Sequence, residues 1–108
     1  MEKIRLEKID AHLREELKSE KFRKLYEFER ARVSLAQRIA ELREEKHLKQ
    51  AEVAKKLGVS QQFISQIETG QERNLTLDTL LRLAETLGRG VKISFPRVSK
   101  RNQHLQVV

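Results

Sequence analysis

The stretch VSQQFISQIETG, Val59–Gly70, decides how this chain folds. Ser60 is a helix N-cap residue, and Val59 before it pairs with Ile64 after it as a hydrophobic staple. Ile64 and Ile67 then form the inward stripe of a short helix that Gly70 ends. Once those two face the core, Gln61, Gln62, Ser65 and Gln66 must face outward. They do so on a chain whose other surface positions are mostly Lys and Glu. Glutamine is an acceptable helix former, so solvated filler is one account of these amides. The other is that amides at this spacing read a flat edge. The surroundings decide between the two.

Immediately upstream, KQAEVAKKLG carries Ala51, Val53, Ala54 and Leu57 as an apolar stripe, with Gly58 as the left-handed residue that ends a helix. Only Gly58, Val59 and Ser60 separate this helix from the next. Downstream, after the loop QERNL, Thr76 caps a further helix with Leu75 and Leu80 as its staple pair. Leu77, Leu80, Leu81, Ala84 and Leu87 are expected on its inner face, and Gly88 stops it. Two helices of about eight residues, joined by three residues with glycine first, match a helix-turn-helix. In that unit the start of the second helix enters the major groove. There Gln pairs bidentately with adenine through N6 and N7, each good pair adding roughly 1–3 kcal/mol of discrimination. An uncharged amide reads a base edge without adhering to every phosphate, which accounts for the absence of Lys. Phe63 either touches a thymine methyl or packs in the core, and core contact is favoured.

Toward the N-terminus, Leu6, Ile9, Leu13 and Leu17 recur at helical spacing and predict a short amphipathic helix ending near Lys18. Ser19 caps a second helix, expected to run unbroken from Glu20 to Lys46. It carries Phe22, Leu25, Tyr26 and Phe28, then Leu35, Ala36, Ile39, Ala40 and Leu42. Ser34 with Gln37 spells a capping box, which marks Arg32–Ser34 as the place for a kink or restart. Beyond Gly88, Val91, Ile93 and Phe95 alternate with Lys92 and Ser94, the pattern of a half-buried strand ended by Pro96. A lone strand needs a partner for its backbone groups. The KIRL segment near the N-terminus, another protein or a second copy could supply it, and a second copy is favoured.

Composition narrows the function. At 108 residues the chain is one domain with an extension. It has no cysteine, which excludes disulfides and thiolate metal sites. No apolar run approaches the roughly 20 residues of a membrane span. MEKIRLEKID lacks a signal-peptide core, so a soluble cytoplasmic protein with no membrane partner is expected. His12, His47 and His104 share no ligand spacing, and there is no glycine-rich phosphate loop. Glu15–Glu16 and Glu44–Glu45 lie among Lys and Arg, where solvated charge is the ordinary reading. No catalysis, metal or cofactor is therefore expected. The net charge of +7 is unevenly spread. Residues 1–32 carry ten bases and eight acids, residues 33–88 eight of each, and residues 89–108 five bases and no acid. That last segment suits phosphate contact or serves as a solubilising tail.

Gln50, Ala54, Gly58, Val59, Ser60, Gln61, Ile64, Ile67, Glu68 and Gly70 together resemble the XRE family of helix-turn-helix repressors, which includes the lambdoid phage repressors. The likeness runs from about Leu35 to Gly88. It implies an all-α, lambda-repressor-like helix-turn-helix bundle, here with an N-terminal helical extension and a short C-terminal β-strand for dimerisation. By that resemblance Gln50 bonds a phosphate and supports the recognition helix. Gln61, Gln62 and Gln66 face bases with Ser60 and Ser65 beside them, Arg73 and Asn74 lie near the DNA backbone, and Arg43 pairs with Glu68. Two positions depart from the family: Lys49 stands where a capping Thr or Ser is common, and His47 where a helix-ending Gly is common.

The wider layout resembles the HigA-type antitoxins of bacterial toxin–antitoxin pairs. It implies a partner region at 1–32 using Leu13, Leu17, Phe22, Leu25, Tyr26 and Phe28, a DNA-binding domain at 33–90, and a segment at 91–108 whose Val91, Ile93 and Phe95 dimerise. The implied partners are a RelE-like, HigB-like mRNA-cleaving toxin, a second copy, and double-stranded DNA with a palindromic operator. The implied function is toxin neutralisation with repression of the protein's own operon. A stand-alone phage or host repressor, its N-terminal helices serving the dimer, is the alternative. A pure interaction module that uses the fold without reading DNA is a third.

Overall fold

The computed structural model describes residue 15 and residues 19–98. The chain divides into two compact units between Arg30 and Ala31. Among the described residues the order is α1 (Glu20–Glu45), α2 (Gln50–Leu57), α3 (Gln61–Glu68) and α4 (Leu77–Thr86). The helix expected over Leu6, Ile9, Leu13 and Leu17 lies outside the described residues, as does the tail beyond Val98.

In the first unit, the Ser19 hydroxyl accepts the Phe22 amide at 3.2 Å and so starts α1. Lys24 and Glu20 pair at 3.6 Å across one helical turn, and the Arg30 guanidinium stands 6.0 Å from the Tyr26 ring centre. Leu25, Tyr26 and Phe28 are exposed, and Phe22 is half-buried. The helix passes through Ser34 without restarting. Mid-helix amides already bond carbonyls four residues back, so the S-x-x-Q pattern there has no free donors to cap.

The second unit is built on Ile39, Val53, Ala54, Leu57, Ile64, Ile67, Leu83 and Leu87, with Leu35, Leu42, Leu48, Val59, Phe63, Leu75 and Leu80 packed against them. Val53, Ile64 and Leu83 are the most completely buried. Each such side chain contributes about 1.5–3 kcal/mol through burial. Both staple pairs, Val59–Ile64 and Leu75–Leu80, sit in or against this core, and Phe63 packs there too. No helix among the described residues is long and apolar enough to cross a membrane.

The inner face of α4 differs from expectation. Leu80, Leu83 and Leu87 point inward, while Leu77 and Leu81 are about half exposed. Four leucines in this helix and a fifth at its C-cap offer two overlapping stripes at 3–4 residue spacing, and packing against α2 selects the one through Leu83. Ala51 is likewise exposed, leaving the inner face of α2 to Val53, Ala54 and Leu57. The expected strand is also not formed. Residues 91–98 run without regular structure, Val91 half-buried, Ile93 exposed and Phe95 94% exposed. A strand needs a ladder of donors and acceptors beside it, and none of the described residues provides one.

Candidate nucleic-acid interface

The turn between α2 and α3 is set by three residues. Gly58 adopts φ 72°, ψ 32°, a left-handed conformation that costs a residue with a Cβ about 1–2 kcal/mol. This geometry lets the Val59 amide bond the Ala54 carbonyl at 3.0 Å, closing the end of α2. Ser60 then turns into an extended conformation, and its hydroxyl accepts the Phe63 amide at 3.0 Å. The chain leaves α3 through a second left-handed glycine, Gly70 at φ 75°. A Cβ there would meet Val33 Cγ2 at 3.7 Å, ordinary contact, so backbone conformation and not space is what glycine supplies.

With Ile64 and Ile67 buried, α3 presents Gln61 and Gln62 fully outward and Ser65 and Gln66 partly so. Ser60 is exposed at the start of the helix. No residue of α3 before Glu68 carries a charge. Arg73 and Asn74 are exposed on the following loop, where the Asn74 amide donates to Glu72 Oε1 at 3.1 Å.

Beneath this surface lies a polar network joining three helices. Arg43 of α1 grips Glu68 of α3 with two bonds, Nε to Oε2 at 2.7 Å and Nη2 to Oε1 at 3.0 Å. Its remaining Nη1 donates to the Leu48 carbonyl at 2.7 Å. Gln50, the first residue of α2, donates from Nε2 to Glu68 Oε1 at 3.3 Å. The side chains of Arg43 and Glu68 are 14% and 5% exposed. The hydrogen bonds that Arg43 donates to Glu68 raise the Arg43 pKa above its usual value, against the opposing effect of burial. Glu68 ends a helix, where the macrodipole disfavours a negative charge; the guanidinium compensates it. The Gln50–Glu68 bond and the use of the Leu48 carbonyl had no local signal in the sequence.

The two residues that depart from the family pattern have distinct outcomes. Lys49 occupies the N-cap of α2 but its side chain has no acceptor, so it cannot bond the helix amides. The reverse half of a capping box is present instead, Glu52 Oε1 accepting the Lys49 amide at 3.1 Å. His47 takes the left-handed position itself, at φ 58°. The Leu48 amide then reaches the Arg43 carbonyl at 3.2 Å and ends α1 as a glycine would.

A helix-turn-helix family profile matches residues 39–93, half of the chain. The uncharacterized HTH-type transcriptional regulator y4dJ of Sinorhizobium fredii is 51% identical over 49 residues, which is 45% of this chain and 62% of that protein. The chain thus covers less than two thirds of that relative's length. No solved structure matches it significantly.

Proposed function

The chain belongs to the helix-turn-helix family, and on that premise we propose that it is a sequence-specific DNA-binding regulator of transcription. The observation that carries the reading is the outward face of α3: Gln61, Gln62, Ser65 and Gln66, with no charge among them. Entering the major groove by its N-terminus, α3 brings Gln61 and Gln62 to base edges first and Gln66 one turn later. Gln50 donates one amide hydrogen to Glu68, which leaves the other for a phosphate. Arg73 and Asn74 approach the backbone beyond Gly70.

The test is replacement of Gln61 and Gln62 by Ala, after the preferred duplex has been selected from a random pool. Both side chains are exposed, so stability should change by no more than about 0.5 kcal/mol. Loss of a bidentate pair should reduce preference for the selected site by roughly 1–3 kcal/mol. Unchanged affinity for that site refutes base reading, and the interaction module becomes the better account.

As a dimer the protein would set two recognition helices in successive major grooves about 34–36 Å apart. The exposed Ile93 and Phe95, alternating with the half-buried Val91, support strand pairing between copies as the means. A footprint covering one asymmetric half-site would count against this.

The finer reading is an antitoxin that neutralises a RelE-like toxin and represses its own operon. Its support is the exposed Leu25, Tyr26 and Phe28 of the first unit, apolar surface of the kind that marks a partner site. A stand-alone repressor using the same residues for its dimer accounts for that exposure equally. An mRNA-cleavage assay with a RelE-like toxin separates them. Stoichiometric inhibition, lost when those three residues become Ala, establishes the antitoxin; no inhibition leaves the stand-alone repressor.

A further inference from the structure

We propose that residues 89–98 form a phosphate-binding arm, which adds sequence-independent duplex affinity to that of the helix-turn-helix unit. The inference rests on the DNA-binding reading above and extends it to residues outside the motif.

It starts from charge. Residues 33–88 carry eight basic and eight acidic side chains. Four of those bases are already engaged, and Lys49, Lys55, Lys56 and Arg73 are the exposed remainder. Arg43 is held by Glu68, and Arg38 lies 3.4 Å from Glu41 and 3.9 Å from Glu45. Arg82 donates to the Leu57 carbonyl at 2.7 Å, and Lys46 to the Thr86 carbonyl at 3.1 Å. The reading face of α3 has no cation. A domain with no net charge gains little electrostatic steering toward a polyanion. Yet sequence-independent binding to duplex comes almost wholly from cations that displace condensed counterions.

The net positive charge follows α4. Residues 89–108 hold five bases and no acid, and within the described part Lys92 and Arg97 are exposed and make no ion pair. The root of the arm is fixed. Arg89 Nη2 pairs with Glu45 Oε2 at 3.1 Å, and the Arg89 amide bonds the Ala84 carbonyl at 2.8 Å. The first contact ties the start of the arm to the end of α1, a short loop ahead of Gln50, and the second ties it to α4. Gly90 follows in open space, with nothing within 4 Å of where a Cβ would sit. From Arg89 to Arg97 an extended chain reaches at most about 26–29 Å at roughly 3.3–3.6 Å per residue. A major groove about 12 Å wide is well inside that reach. Lys92 alternates with Val91 and Ile93, and Arg97 lies past Pro96, so cations and apolar residues can serve different surfaces.

The experiment compares the full chain with its Lys92→Gln, Arg97→Gln variant. Binding to the selected duplex and to a random one is followed by fluorescence anisotropy between about 50 and 200 mM KCl, the range over which phosphate contacts are read. At about 0.9 per phosphate contact, the slope of log affinity against log salt should become shallower by about 1.8. Across that range the variant should then lose about tenfold less affinity than the wild type. Both duplexes should weaken together, with their ratio unchanged, and light scattering should give the wild-type oligomeric state. An unchanged slope overturns the arm while leaving base reading intact. A loss confined to the selected duplex, or an altered oligomeric state, also overturns it. A wild-type protein that binds no duplex overturns the arm together with the DNA-binding reading.

Discussion

Replacing Glu68 by Ala removes the centre of the network beneath α3. The change deletes the acceptors of two charge-assisted bonds from Arg43, at 2.7 and 3.0 Å. It leaves a guanidinium only 14% exposed, with the Leu48 carbonyl at 2.7 Å as its remaining buried partner. Breaking a buried pair from one side costs about 3–5 kcal/mol. Residual exposure of Arg43 puts the expectation near the lower end, about 3 kcal/mol, against a total of about 5–10 kcal/mol for a domain of this size. Replacing both partners with apolar residues, Arg43→Met with Glu68→Leu, should recover most of that loss, since no charge is then stranded.

Urea unfolding followed by far-ultraviolet circular dichroism reads both variants. With a slope of about 1 kcal/mol per molar, the single change should lower the midpoint by about 3 M. The sign of the pH dependence follows from the raised Arg43 pKa. A base whose folded pKa lies above its unfolded one contributes fully at every pH below the unfolded value. Arg43's share of the deficit should therefore be flat from about pH 6 to about pH 10. A Glu68→Ala loss below about 1 kcal/mol, or a double variant no more stable than the single one, refutes the reasoning.

Three further outcomes are expected. His47→Gly should stabilise the protein by about 0.5–1 kcal/mol in the same urea assay, because the left-handed penalty at φ 58° exceeds the added unfolded-state freedom of glycine. Leu83→Ala should cost about 2–5 kcal/mol, whereas Leu81→Ala, one helical face away, should change stability by about 0.5 kcal/mol or less; equal losses would mean the two stripes of α4 have been misassigned. Ser60→Ala should cost about 1 kcal/mol by freeing the Phe63 amide, and Ser60→Gly only a few tenths, as thermal unfolding will show.

The legible parts of this fold are those that one local rule fixes. Ser19, Ser60 and Thr76 each cap the amide three residues on, and that bond needs no knowledge of the rest of the molecule. Gly58, Gly70 and Gly88 all lie near φ +70° for the same reason. The failures begin where a choice depends on packing. Leu77, Leu80, Leu81, Leu83 and Leu87 satisfy helical periodicity in more than one register, and only contact with α2 separates them. The Gln50–Glu68 bond joins positions 18 apart, so no local pattern announces it. His47 breaks the glycine rule, although histidine is one of the side chains enriched at positive φ. The strand expected at Val91–Phe95 is not formed, because alternation records which side chains could share a face and says nothing of whether a ladder of donors and acceptors lies beside them.

If α3 reads bases as proposed, the arrangement around it separates two tasks that a charged recognition helix would combine. Amides discriminate bases because they present a donor and an acceptor in fixed relation, but their value depends on being held at the right depth and angle. A cation in their place would bind phosphates of any sequence. Holding an uncharged face still falls to groups beneath it, and Glu68 suits that role because a carboxylate offers two oxygens with about four acceptor positions. One oxygen takes Arg43 Nε, and the other takes both Arg43 Nη2 and Gln50 Nε2. A single side chain thus ties α3 to α1 and to the start of α2. The charge needed to hold that surface is kept buried and compensated, so it adds no sequence-independent attraction of its own.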